Sequence, residues 1–342
     1  MNQNLFGDVN HYYTKSRLPE RKPGEQWDTP LEKQIRNLLT TKQSDAKKRV
    51  EQACKQANIM IREYLRAETA LKLSQADRRQ SVPYQVVDGI PKSLAIKLEN
   101  LPDPILLLLM QNKQLLKNGE AALDFVLEYY PEIRKVLSQQ SDIIDDLMST
   151  KDFFSGIHNM IDSFRLPDVI REIEEDVLGA YYFYVPAIQI YWMPIGLIAG
   201  ILDNVSIEDL TFVVLAHELA HAYTHMGLDI DGVQWNTDKF ACTDKMIVEG
   251  LAQFYTESIC NKYANRQPGI LNSFNKLLEK QPEPYKHFRK WEKQHASEIV
   301  RFSMIAARSK NIQDYNQFLE TMKDIEAKIP SRNEKQKDLL GR

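Results

Sequence analysis

The chain lacks most of the features that would assign it to a class at once. It has three cysteines in 342 residues, Cys54, Cys242 and Cys260. They are odd in number and far apart, which argues against a disulfide framework and against a Cys-x-x-Cys zinc knuckle. It has no excess of either charge. Lys and Arg number 44 against 47 Asp and Glu, a net charge of −3, so no nucleic-acid partner is expected. No Gly-x-Ser-x-Gly element occurs, the cysteines have no local catalytic signature, and no Gly-rich phosphate loop ending in Gly-Lys is present. Nucleophilic hydrolases and phosphate-loop enzymes are therefore poor readings. Residues 1–10 lack a basic patch followed by an apolar core, so no secretory signal is expected and the cytoplasm is the expected location. There is no internal repeat and no low-complexity tract.

Long apolar runs are also scarce. The exception is Val177–Leu202, 26 residues without a charge, enough to span a bilayer on length alone. Pro186 and Pro194 interrupt it, Gln189 sits inside it, and Ala187–Met193 alternates as a strand does. A buried strand followed by a packed turn is the expectation, and a membrane-associated protein the alternative.

What is present suits a soluble globular protein, with 43% hydrophobic and 27% charged residues and length enough for one large domain or two. The expected fold class is mainly α, of the α+β kind. A helical N-terminal region over 1–150, opening on a polar arm at 1–30, precedes a second region at 151–342 with a small sheet and a site-bearing helix. Thr29-Pro30 reads as a helix start. Leu31 to about Ala76 reads as one long helix or two in tandem. Ala46, Val50, Ala53, Ala57, Met60, Tyr64, Ala67 and Leu71 recur there at four-three spacing. That seam fits either a hairpin packed on its own domain or an associating coiled coil formed through 31–76. Residues 80–104 form a Pro-broken connector with a short strand at Tyr84–Val87. Ile105–Asn118 and Glu120–Gln139 read as helices. Residues 268–330 are helical, with Trp291, Ile299, Phe302, Ile305, Phe318, Met322 and Ile325 as core positions. Residues 1–80 carry sixteen Lys and Arg against ten acids, and residues 121–180 five against thirteen. Such patches are either solvated faces that pack together or a basic arm beside an acidic one.

The most informative segment is His217-Glu218-Leu219-Ala220-His221. Two histidines four apart on a helix share a face one turn apart. Both imidazoles can then bind one zinc ion, with Glu218 placed to accept a proton from metal-bound water. Ser206 is the expected N-cap, with Asp209 three residues on. The run Leu210–Leu215 is apolar nearly all round, so the helix should be buried, and a buried His-Glu-His group calls for a compensating cation. His225 continues the spacing, but eight residues rise ~12 Å, too far for one ion to reach it and His217. It is expected at a substrate-side or surface position. The longer motif with a glycine and a third histidine is absent, since Thr224 and Gly227 hold those places.

A third ligand is needed, with one position left open for water. Glu249-Gly250-Leu251-Ala252 lies in a second helix expected over about Asp238–Lys262. Glycine in mid-helix costs about 1 kcal/mol relative to alanine, and close crossing over the motif helix would explain Gly250. Asp244 and Glu257 are the rival carboxylates.

His217–His221 followed by Glu249-Gly250-Leu251-Ala252 resembles the gluzincin branch of the zinc metallopeptidases, over about Ala187–Lys262. The resemblance implies a zincin-like catalytic domain and one zinc per chain held by His217, His221 and Glu249. It implies Glu218 as general base and a peptide or protein as substrate, the chemistry of a metalloendopeptidase. Thermolysin-like members carry an aspartate four residues after the ligand glutamate, to orient a histidine. Gln253 stands there, able to accept an imidazole N–H without supplying charge. The family's oxyanion donor has no motif to carry it over, and Tyr255, His225, Tyr223 and Tyr191 are the candidates. The family also pairs extended peptides with a sheet-edge strand beside the site, a role open to Ala187–Met193, which is otherwise a core strand. The alternative function is a zinc-bearing or degenerate scaffold whose helical first half recruits partners.

Overall fold

The computed structural model describes residues 45–73, 82–88, 113–136, 142–163 and 177–328. The polar arm, the helix start at Thr29-Pro30 and the first part of the helix expected over Ile105–Asn118 lie outside the described residues. The fold is mainly α with one small sheet, as expected.

Helix α1 (Ala46–Thr69) is followed by strand β1 (Tyr84–Val87), then by α2 (Lys113–Val136) and α3 (Asp142–Ser163), which pack on each other. Strands β2 (Gly179–Tyr182) and β3 (Ala187–Tyr191) lead into α4 (Trp192–Ile201) and α5 (Ile207–Met226), the helix of the His-Glu-x-x-His segment. Then come α6 (Thr237–Ala241), α7 (Lys245–Tyr263), α8 (Pro268–Lys280), α9 (Glu283–Lys286), α10 (Phe288–Gln294), α11 (Ser297–Lys310) and α12 (Tyr315–Lys328).

Helix α5 is the centre of this arrangement. The Ser206 hydroxyl accepts from the Asp209 amide at 3.0 Å, the N-cap anticipated from the spacing, and donates to the Asp209 carboxylate at 2.6 Å, where a full capping box would have that carboxylate accept the Ser206 amide. Every residue of α5 except Glu208 and Met226 is buried, as follows when apolar residues occupy all sides of a helix. Around it lie α1, α7, α8, α4 and the sheet.

Helix α1 supplies one wall. Its buried face is Ala46, Val50, Ala53, Cys54, Ala57, Ile61, Leu65 and Thr69. The four-three seam therefore fails after Ala57: Met60 and Tyr64 are only half-buried and Ala67 is exposed. A straight helix drifts about 20° per heptad from a 3.5-residue repeat, and α1 follows the drift as it packs on α5, α4, α7 and β1 of its own chain. Arg49 adds a two-pronged ion pair to Glu208 at the start of α5, both contacts 2.6 Å. The helix also ends earlier than expected. Ala70 takes a left-handed conformation (φ 57°), and Lys72 then pairs with Leu228 just beyond α5.

The sheet order is β1-β3-β2, with β1 parallel and β2 antiparallel to β3. Strand β3 appears where alternation placed it, but in the middle. Both its edges are taken, so it cannot pair with an extended peptide, and β1 and β2 are the edge strands among the described residues. Tyr181, Ile188 and Ile190 face the main core, while Ala180, Tyr182, Tyr191 and Val87 form a separate cluster.

Other boundaries also moved. After β3 the chain forms α4 rather than a packed turn, with Pro194 in the first helical turn, where its missing N–H costs little. Helix α2 runs through Gly119 instead of breaking there. The helix expected over Asp238–Lys262 divides into α6 and α7, because Asp244 caps α7 by accepting from the Met246 amide. In the C-terminal part Trp291, Ile299, Phe318 and Met322 are buried, Ile305 and Ile325 pack at the edge of the core, and Phe302 is exposed. Among the described residues no helix is long and apolar enough to cross a membrane.

Candidate metal centre

Helix α7 crosses α5 and brings Glu249 to the two histidines. His217 Nε2 and His221 Nε2 are 3.0 Å apart, and Glu249 Oε2 lies 3.2 Å from the first and 3.3 Å from the second. All three side chains are buried. The carboxylate oxygen makes no hydrogen bond, while the two imidazole nitrogens lie within hydrogen-bond distance of each other. Ligands ~2.05 Å from a tetrahedral ion are ~3.3 Å apart, close to the three separations found. Two neutral imidazoles and a carboxylate are also the donor set that suits a divalent transition ion. Burial raises the Glu249 pKa, but the attraction of the His221 and His217 imidazoles outweighs it, and the net shift is downward.

Glu218 is also buried, with its side chain against β2. A Cβ on Gly179 would come within 2.9 Å of Glu218 Oε1 and 2.8 Å of Val214 Cγ1, so only glycine leaves room there for the carboxylate. The rival ligands lie elsewhere. Asp244 is the cap of α7, and Glu257 is paired with Arg289 at 2.6 Å. The reason given by sequence for Gly250 does not hold. Its open side faces Trp291 of α10, whose Cη2 would be 2.5 Å from an added Cβ, and not α5.

Three of the oxyanion candidates, His225, Tyr223 and Tyr191, are engaged in other hydrogen bonds, and the buried Tyr255 hydroxyl has no partner. His225 is fully buried, contrary to the surface or substrate-side expectation. Its Nδ1 is 2.8 Å from the Tyr181 hydroxyl, its Nε2 3.2 Å from Thr237, and its ring stacks on Phe240. Burial, aided by Arg308 and His221, pushes its pKa down to about 3. The Tyr223 hydroxyl donates to the Arg62 carbonyl at 2.8 Å. Tyr191 lies on the outer sheet face beside Tyr182. Tyr255 is buried, with its pKa raised by that burial, and Arg301, Glu68 and Arg308 are the charges acting on it. Gln253 is buried one turn beyond Glu249 and donates to Gln281 Oε1 at 3.0 Å.

The site also contains a residue that sequence reasoning missed. The Tyr285 ring stacks on His217, centroids 5.8 Å apart and planes 28° from parallel. Nothing local marks it beyond its place after Pro282 and Pro284. Comparison of the chain with protein-family models, with curated proteins and with solved structures gives no match.

Proposed function

We propose that the protein is a zinc-dependent hydrolase of peptide bonds, with His217, His221 and Glu249 as the metal ligands and Glu218 as the general base. The observation that carries this reading is the convergence of three buried ligand atoms at tetrahedral spacing, with Glu218 on the same helix between the two imidazoles. Three protein ligands with one position open is the pattern of catalytic rather than structural zinc. When bound, zinc would supply a water of lowered pKa and a Lewis acid for the scissile carbonyl. Glu218 would accept a proton on its carboxylate and return it to the leaving amine. Strand β2 begins at Gly179, against the Glu218 side chain, and an edge strand there suits an extended peptide, which binds through main-chain hydrogen bonds.

A second reading, a metal-bearing scaffold without hydrolysis, draws on one observation: Glu218 is only 2% exposed. Metal analysis of the purified protein and digestion of a peptide pool separate the two. The hydrolase reading expects about one zinc per chain and cleavage that Glu218→Gln abolishes while keeping the zinc. Equal cleavage by that variant would remove Glu218 from the chemistry, and zinc without any cleavage would favour the scaffold.

A further inference from the structure

Among the described residues eleven large apolar side chains are exposed, and six of them lie on the hairpin of α2 and α3. They are Leu115, Phe125, Val126 and Tyr129 on α2, and Met148 and Phe153 on α3. Single exposed apolar residues need no explanation, but a cluster of them marks an interaction surface. Those on α2 share one side. Val126 and Tyr129 lie about three and four turns beyond Leu115, and Phe125 stands one turn before Tyr129 with the ring centroids 4.5 Å apart. The stripe is ~21 Å long, the length of about fourteen helical residues.

Its flanks are acidic. Glu128 follows Phe125 by three residues, and on α3 Asp145 and Asp152 stand one turn to either side of Met148; all three acids are exposed. Helix α3 carries five aspartates against Lys151, a balance of −4, and Lys151 is itself paired with Asp124 of α2 at 2.5 Å. An anionic bilayer or a nucleic acid would meet its own sign here. A second copy joined by a two-fold axis would set the same aspartates against each other. The complement of this face is apolar along its middle and basic at its sides. Recognition of a helix on a groove uses such an element, with apolar anchors at i, i+3, i+4 and i+7.

We propose that the outer face of the α2–α3 hairpin is a docking surface for a basic amphipathic helix of a partner protein. Phe125, Val126 and Tyr129 receive its apolar stripe, and Glu128, Asp145 and Asp152 receive its lysines and arginines. The inference rests on neither the metal centre nor hydrolysis, so it stands or falls apart from them.

The test is fluorescence anisotropy of the full chain with two labelled helical peptides of about 18 residues, five turns. One is built of leucine and lysine at that anchor spacing, the other of leucine and glutamate. The Leu/Lys peptide should bind saturably at one per chain, and more weakly as salt rises and screens the flanks. The Leu/Glu peptide should not bind. Phe125→Ser with Tyr129→Ser should weaken binding at least about 10-fold, as expected for aromatic anchors, with the thermal midpoint as the folding control. Glu128→Lys with Asp152→Lys should lose the Leu/Lys peptide and gain the Leu/Glu one, and this reversal serves if the first double variant does not fold. No binding of the Leu/Lys peptide, or equal binding by parent and both variants, would overturn the proposal. So would binding to phosphatidylserine-containing vesicles, or dimerisation in sedimentation equilibrium, that Phe125→Ser with Tyr129→Ser abolishes, since the face would then belong to a membrane or to a second copy.

Discussion

Helix α5 and the hairpin of α2 and α3 use apolar residues in opposite ways. In α5 apolar side chains occupy all sides, and the helix is enclosed by α1, α7, α8 and the sheet. The hairpin is held to the main core by Leu116, Phe154 and Ile157, with Lys117 paired to Asp203 at 3.1 Å. It leaves Phe125 and Phe153 61% and 66% exposed. Enclosure makes polarity informative. Each polar group inside α5 must be satisfied, and Thr211, Thr224 and His225 are, by Ile207, Ala220 and Tyr181. His217 Nε2 and His221 Nε2 instead lie together with the Glu249 carboxylate, and that sets them apart as a group that could hold a metal ion.

The comparison is sharpest at α5's apolar positions. Leu215 is fully buried, and Leu215→Ala should cost about 2–5 kcal/mol, since a large-to-small change there leaves a cavity. Urea unfolding of the metal-free protein would measure it. A cost under about 1 kcal/mol would mean that the surroundings of α5 collapse easily and that its enclosure is loose.

A smaller effect is expected where α7 meets α10. Gly250→Ala puts a methyl group into the Trp291 ring, and overpacking of this kind costs about 1–3 kcal/mol. Tryptophan fluorescence would follow the shift of Trp291. An unperturbed spectrum with unchanged stability would show that the ring has room to move.

His225 tests enclosure through pH. Its pKa is about 3 in the folded protein, chiefly through burial, with Arg308 and His221 adding to it; in an unfolded chain it is about 6.5. Between those values the unfolded state binds a proton that the folded state refuses. Stability therefore rises with pH in that window and is lost on acidification, at up to about 1.4 kcal/mol per pH unit. His225→Phe should be less stable at pH 7, because Tyr181 and Thr237 lose their partner, yet show a flatter fall between pH 6.5 and 4. Parallel pH profiles for parent and variant would mean that burial does not lower the affinity of His225 for a proton on folding.

How much of this was legible in sequence follows from the same contrast. His217, Glu218, His221 and the Ser206 cap are local. Helical spacing alone places them, and the structure agrees. Glu249 was reached through the glycine beside it and does lie beside the two imidazoles, but the glycine serves Trp291, so the reason for the placement was a different one. Tyr285, Gln281 and Gly179 were not legible, because they reach the site through tertiary paths that no spacing encodes. The parallel pairing of β1 with β3 is another long-range contact of this kind. His225 was misplaced because its distance from a shared ion says nothing of the aromatic box formed by Tyr181, Phe183 and Phe240. Helix α2 crosses Gly119 because a penalty of about 1 kcal/mol is within what packing against α3 can offset.

The smallest effect belongs to the hairpin, and it is the one most able to break the comparison. Phe153 has Phe154 as an aromatic neighbour at 6.2 Å, yet two thirds of its surface meets solvent. Replacing an exposed side chain that buries little area should change stability by no more than about 0.5 kcal/mol. Phe153→Ser should therefore unfold at nearly the parent's urea concentration, with the same slope. A loss above about 2 kcal/mol would mean that this face is covered in solution. The hairpin would then be as enclosed as α5, and its aromatic residues would be core rather than surface.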